Sequence, residues 1–301
     1  MTQNLRTISK EHTIWLVIAL GSAFFVAVKN VWTRAFVTSI SQRTIVFANF
    51  LLTGILGLAY IGFTGLPTLE TEFYWSIIAV SLVDALAVTL LIRAIHSADL
   101  SDAYPLVALT PVFSLGTAFL ILGEEPSLQG AIGVVVIVVG AYLLRARRSQ
   151  DSLLEPFKSL ATDRGARYMM LTALMFSIMG PLFKTAMQAS SPAVALTSSQ
   201  WLSAIWLAGI LAFRGKLRGV ITELTRNAPV LSGIAVTNFL QALFNFLAFE
   251  LALVAYVAGV KRLGILFTVL LSYLFFRDKG ALRGAVAGTV MLVGVVLIAF
   301  G

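Results

Sequence analysis

The stretch Leu122-Gly-Glu-Glu-Pro-Ser-Leu-Gln-Gly-Ala-Ile-Gly-Val-Val-Val-Ile-Val-Val-Gly-Ala-Tyr-Leu-Leu-Arg-Ala-Arg-Arg148 decides the fold class of this chain. A glycine–acid turn opens it, an unbroken apolar run follows from Gly130 to Leu144, and a basic cluster closes it. With the turn before it, this run fills 127–144 and stops on arginines, and it reads as a helix crossing the bilayer. The same pattern recurs in both directions. Apolar runs occupy 13–36, 43–64, 73–94, 100–122, 127–144, 167–187, 193–213, 228–250, 252–276 and 281–300. Most of them suffice for about 30 Å of hydrocarbon.

Composition agrees. The 301 residues are 58% hydrophobic and 12% charged, too few polar groups to cover a soluble domain. There is no cysteine, which excludes disulfides and thiolate ligands, and His12 and His96 are the only histidines. Neither a metal site nor a cofactor is expected from such a set. The net charge of +8 sits mostly in loops, where it sets topology and gives no nucleic-acid footprint. Residues 1–12 are polar and lead into a run too long for a signal-peptide core, so the first run reads as a retained helix.

Beyond Arg148, the charged segment 149–165 divides the chain into halves 1–148 and 166–301, and these resemble each other. Ser22-Ala-Phe-Phe-Val-Ala-Val-Lys29 matches Ser177-Ile-Met-Gly-Pro-Leu-Phe-Lys184, Asp84 falls opposite Asn238, and Leu122-Gly-Glu124 falls opposite Phe276-Arg-Asp278. Five crossings per half turn the second half upside down, the inverted-repeat arrangement of secondary transporters. The expected fold is therefore all-α, with ten membrane helices as two inverted five-helix repeats. Sixteen of the 22 basic residues fall on one side of that layout and two, Arg6 and Lys10, on the other. The rich side should be cytoplasmic. This puts segment 145–166 in the cytoplasm and both termini outside it, in an inner-membrane protein.

Tyr104-Pro-Leu-Val-Ala-Leu-Thr-Pro-Val-Phe113, the Leu122-Gly-Glu124 turn, the glycine-spaced run 130–140, Val260-Lys-Arg-Leu-Gly-Ile-Leu-Phe267 and the run from Gly284 to Gly294 resemble the EamA-like branch of the drug/metabolite transporter superfamily. That resemblance implies a transporter of small solutes. Two positions depart from the family's habit: Asn49 stands where helix 2 often carries arginine, and Arg277-Asp278 replaces the second Gly-Glu turn. The Lys261-Arg262 pair is also similar to the Lys-Arg pair of plastid phosphate translocators, with a different spacing to the next turn.

Charges inside a bilayer cost at least about 2.5–3.5 kcal/mol each and need a reason. Lys261 and Arg262 lie deep in the ninth run and read as an anion clamp, or as structural partners of Asp84 or Glu250. Asp84, mid-helix, reads as a coupling proton carrier or an amine contact, or as the partner of a cation. Lys29 and Lys184, repeat counterparts near opposite faces, read as gates of a shared cavity or as snorkelling side chains. Asn238, Gln241 and Asn245 make one face of the eighth run polar, which must face protein or water. Trp32, Asn49, Tyr104, Gln200, Trp201 and Tyr256 complete the candidate lining. Phe73, Tyr74 and Trp75 read as an interfacial belt. Pro111 and Pro181 should bend their helices. The glycines at 130, 133, 140, 284, 288 and 294 read as a packing seam between the fifth and tenth helices, with a homodimer face as a further use.

Four cations against one central anion favour an anionic or carboxylate-bearing metabolite, carried by alternating access and exported. An obligate exchanger of phosphorylated or carboxylated solutes and a lipid-phosphate flippase are the rival transport readings. A membrane enzyme is disfavoured because no loop holds a nucleophile or metal constellation.

Overall fold

The computed structural model describes residues 2–37, 40–97, 104–146, 155–277 and 281–300. Its elements are α1 (Thr2–Phe36), α2 (Gln42–Thr64), α3 (Thr71–Ser97), a 3-10 segment (Tyr104–Leu109), α4 (Thr110–Leu122), α5 (Leu128–Ala146), α6 (Glu155–Thr162), α7 (Arg164–Gln188), α8 (Pro192–Phe213), α9 (Leu217–Arg226), α10 (Ala228–Leu251), α11 (Val254–Lys261), α12 (Leu263–Phe276) and α13 (Ala281–Ala299). No strand occurs among the described residues. Seven helical stretches are long and apolar enough to cross a membrane, and three shorter apolar helices, Leu106–Leu122, Leu128–Leu144 and Val286–Ala299, accompany them.

Helix starts follow the sequence. Asp163 caps α7 through Gly165 N at 2.9 Å and Ala166 N at 3.1 Å, and Ser191 caps α8 with Pro192 behind it. Such side chains satisfy the otherwise orphaned first amides. Gly123 closes α4 in the left-handed conformation, φ 68°, which a residue without Cβ adopts at little cost. Its counterpart by sequence, Arg277, closes α12 in the same region, φ 54°, where a side chain is disfavoured by about 1–2 kcal/mol.

Three expected elements differ in detail. The ninth run is helical from Val254 to Phe276, with one tightened turn at Arg262, whose amide bonds Gly259 O at 2.9 Å, between α11 and α12. The fourth begins as a 3-10 segment and becomes α-helical just before Pro111, since proline tolerates the first turn of a helix and not its interior. Within segment 149–165, α6 occupies 155–162, and residues 149–154 lie outside the described ones. Phe73 is buried, while Tyr74 and Trp75 are exposed, so only two of the three aromatics face outward.

Packing is helix on helix. α1 lies against α10 and α12, α7 against α3 and α4, α2 against α8 and α10, and α5 against α13. The α5–α13 seam is backbone-close: a Cβ on Gly133 would meet Gly294 O at 2.7 Å, and one on Gly294 would meet Gly133 O at 2.7 Å. These glycines therefore face each other within one chain. Outside, large apolar side chains such as Phe63, Leu120 and Leu274 are exposed, while Ser22, Ser177, Asn238 and Gln241 are buried. That inversion of the soluble pattern suits a lipid surround. The amphipathic α9 packs Val220 on Phe47 and Leu211 and straps α2: Glu223 accepts from Ser41 N at 2.8 Å, from Ser41 Oγ at 2.6 Å and from Thr44 Oγ1. The Ser41 hydroxyl first, then the Thr44 hydroxyl and the Ser41 amide, hold the Glu223 carboxyl below its ordinary range.

Candidate functional site

α10 supplies the floor of the polar interior. Asn238, Gln241 and Asn245 recur at i, i+3 and i+7, and all three are buried; side chains at that spacing share a helix face. Asn238 joins two other helices: Lys29 Nζ of α1 donates to Asn238 Oδ1 at 2.9 Å, and Asn238 Nδ2 donates to Thr53 Oγ1 of α2 at 3.4 Å. Ser22 Oγ donates to Gln241 O at 3.0 Å and fixes α1 against α10 one step further along. Lys29 thus reaches into the bundle and does not snorkel away from it.

Lys261 ends α11 and interacts electrostatically with two other cations, Lys29 and Arg262. No hydrogen-bond or ion-pair partner of its ammonium stands among the described residues. Lys29 and Lys261 are both half-buried. Arg262 Nη2 donates to Val107 O at 2.8 Å, tying the α11–α12 junction to the 3-10 segment. The 3-10 segment and the tightened turn at Arg262 therefore touch.

Four groups have buried polar atoms without a hydrogen-bond partner among the described residues: Asn49 Oδ1, Gln200 Oε1, Trp201 Nε1 and Asn245 Oδ1. Buried polar atoms are nearly always paired, and these four exceptions lie on α2, α8 and α10. Trp201 stands over Gly54, whose absent Cβ leaves it room.

Other candidates are engaged elsewhere. Asp84 Oδ2 accepts from Ser203 Oγ at 2.8 Å, beside a Trp206 Nε1 to Ser81 Oγ bond of 3.3 Å between the same two helices; its partner is a hydroxyl. Lys184 Nζ pairs with Glu124 Oε1 at 2.7 Å and donates to Ala252 O at 2.8 Å. Tyr256 OH accepts from Ser127 N at 3.0 Å and lies over Gly130. Trp32 donates to Val230 O at 3.2 Å. Tyr104 opens the 3-10 segment, and its side chain lies outside the described residues. Sequence reasoning passed over Glu124, Thr53 and Ser203 as site residues. Glu124 was visible in the turn motif, and Thr53 follows Asn49 by four on one face of α2; nothing marked Ser203. A separate open cavity of about 340 Å³, lined by Tyr60, Thr64, Ser191, Leu247 and Glu250 among others, lies where α2 and α10 end and α8 begins.

An apolar exterior, a polar and cationic interior and helices of crossing length define a multi-pass helical membrane protein. Residues 13–146 match the profile of the EamA-like transporter family, which falls within the drug/metabolite transporter superfamily. A protein of known crystal structure, 11% identical, superposes with a TM-score of 0.69 over 96% of this chain and 98% of its own; at that identity the likeness concerns the fold alone. No curated protein matches the sequence.

Proposed function

We propose that this chain is a secondary transporter with ten membrane-crossing segments, built as two inverted repeats, 1–148 and 166–301, joined by segment 149–165. It exports a small polar anion or carboxylate-bearing metabolite across the inner membrane by alternating access. The packing pattern supports the repeat. α1 takes α10 and α12 as neighbours while its counterpart α7 takes α3 and α4, and α2 with α8 and α5 with α13 each join a helix to its own counterpart. A pseudo-twofold axis in the membrane plane generates those partnerships.

The observation that carries the substrate class is that Lys261, electrostatically near Lys29 and Arg262, has no acid partner among the described residues, while the mid-helix carboxylate, Asp84, is held by Ser203. A like-charged cation such as Lys261 is costly inside a membrane unless a counter-charge arrives, and a substrate anion is that counter-charge. The orphaned amide oxygens of Asn49, Gln200 and Asn245 then take donor groups on the rest of the molecule. Asp84, apart from the cations, serves coupling.

Lys261→Gln tests the reading. In detergent, its affinity for carboxylate and phosphate ligands should fall about ten- to a hundredfold, the worth of one charged hydrogen bond, with neutral analogues unaffected. A K261Q protein that elutes normally and binds the same anion panel like wild type would overturn the anionic substrate. Counterflow without an ion gradient, in liposomes, separates an obligate exchanger from a coupled exporter.

A further inference from the structure

α11 is eight residues long and its N-cap, Leu253, supplies no side-chain acceptor. The acceptor comes from another element. Glu124, in the turn between α4 and α5, accepts from Val254 N at 2.8 Å through Oε2 and holds Lys184 Nζ at 2.7 Å through Oε1. Lys184 also donates to Ala252 O at 2.8 Å, so one carboxylate gathers the end of α7, the α10–α11 link and the first amide of α11. Just beyond, the same turn grips α11 again, where Tyr256 OH accepts from Ser127 N at 3.0 Å and packs over Gly130. The pair is well shielded, with 13% and 9% of the Lys184 and Glu124 side chains exposed, unlike a loose surface bridge. Breaking one partner of a shielded pair leaves the other charge stranded.

The far end of α11 carries Lys261, and Arg262 follows it. We propose that Glu124 is the positioning residue of this short helix: clasped to Lys184 and Val254, it fixes α11 and with it the depth at which Lys261 and Arg262 stand. The functional meaning of that depth rests on the anion-binding reading of Lys261; the clasp itself does not. Breaking the clasp frees α11 to move between the 123–130 turn and the 3-10 segment that holds its other end. The two repeat-related lysines are thereby distinguished. Lys184 is consumed by the clasp, whereas Lys29 donates to Asn238 in the polar interior.

The chain has no cysteine, so a single introduced thiol reports local opening. Ala258→Cys places one on α11 and Ala235→Cys one on α10 as a reference. In purified, monodisperse protein, adding Glu124→Gln or Lys184→Met should speed maleimide labelling at position 258 about tenfold, as expected for loss of one charge-assisted contact. Labelling at 235 should be unchanged. Unaltered labelling at 258 in both variants overturns the proposal, and so does equal acceleration at 235, which would signal general loosening. If E124Q yields no folded protein, K184M, which leaves the Glu124 cap of Val254 in place, carries the test alone. Because labelling needs no substrate, it stands or falls independently of the K261Q binding result.

Discussion

Asp84 and Lys261 are both ionisable side chains in the middle of a helix bundle, and they are held in different ways. Asp84 has a hydroxyl donor, Ser203, at 2.8 Å; Lys261 has Lys29 and Arg262 as electrostatic neighbours. A carboxylate joined to a neutral hydroxyl can gain or lose its proton without breaking an ion pair, which suits a coupling group better than a structural one. Asp84→Asn should therefore abolish transport driven by a pH gradient while substrate exchange in liposomes continues. Full proton-driven transport by D84N would move the coupling elsewhere. The contrast also separates Lys261 from its neighbour, because successive helical residues point about 100° apart. Arg262 reaches the Val107 carbonyl, a contact its planar fork makes well, and so anchors the turn of the helix where Lys261 stands.

At the scale of elements, α5 and α13 approach each other backbone to backbone. A methyl group on Gly133 or Gly294 would sit 2.7 Å from a backbone oxygen of the facing helix, and backbone cannot swing aside as a side chain does. Gly133→Ala should thus lower stability by about 1–3 kcal/mol, the usual cost of overpacking, read as an earlier thermal transition in detergent. Gly116 has nothing within 4 Å of its would-be Cβ, so Gly116→Ala should be neutral or mildly stabilising through helix propensity. Similar behaviour of the two variants would mean that the seam yields. The ninth run makes a second point. α11 runs on into α12, and contacts from other elements hold it at Val254 through Glu124 and, next to Lys261, through Arg262.

For the whole molecule, sidedness is the property most open to a direct test. The proposed ten-span layout would put sixteen basic residues on one face and two on the other, so a reporter active only in the cytoplasm should respond when inserted in 145–166 and stay silent at the C-terminus. The opposite pattern would invert the orientation and leave the packing untouched. The α9 strap holds the end where α2 begins, through Glu223 and Ser41, which the proposed layout makes part of the same basic face.

The sequence by itself determined the class, the helical character, the apolar runs and the family, because each is written in local composition and in spacing along one chain. Run length against bilayer thickness needs no knowledge of neighbours, and neither does the tally of loop charges. It also picked out the polar face of α10, since the 3.6-residue period converts spacing into a common side. What the sequence left open was which charge meets which. Lys184 looked equivalent to Lys29, yet it meets Glu124; Tyr256 looked like lining, yet it meets Ser127; Asp84 had two cations to choose from, yet it meets Ser203. Those partnerships depend on how far each helix is turned about its axis and how deep it sits. Both are set by side chains interlocking between helices distant in sequence, and only the tertiary structure decides them.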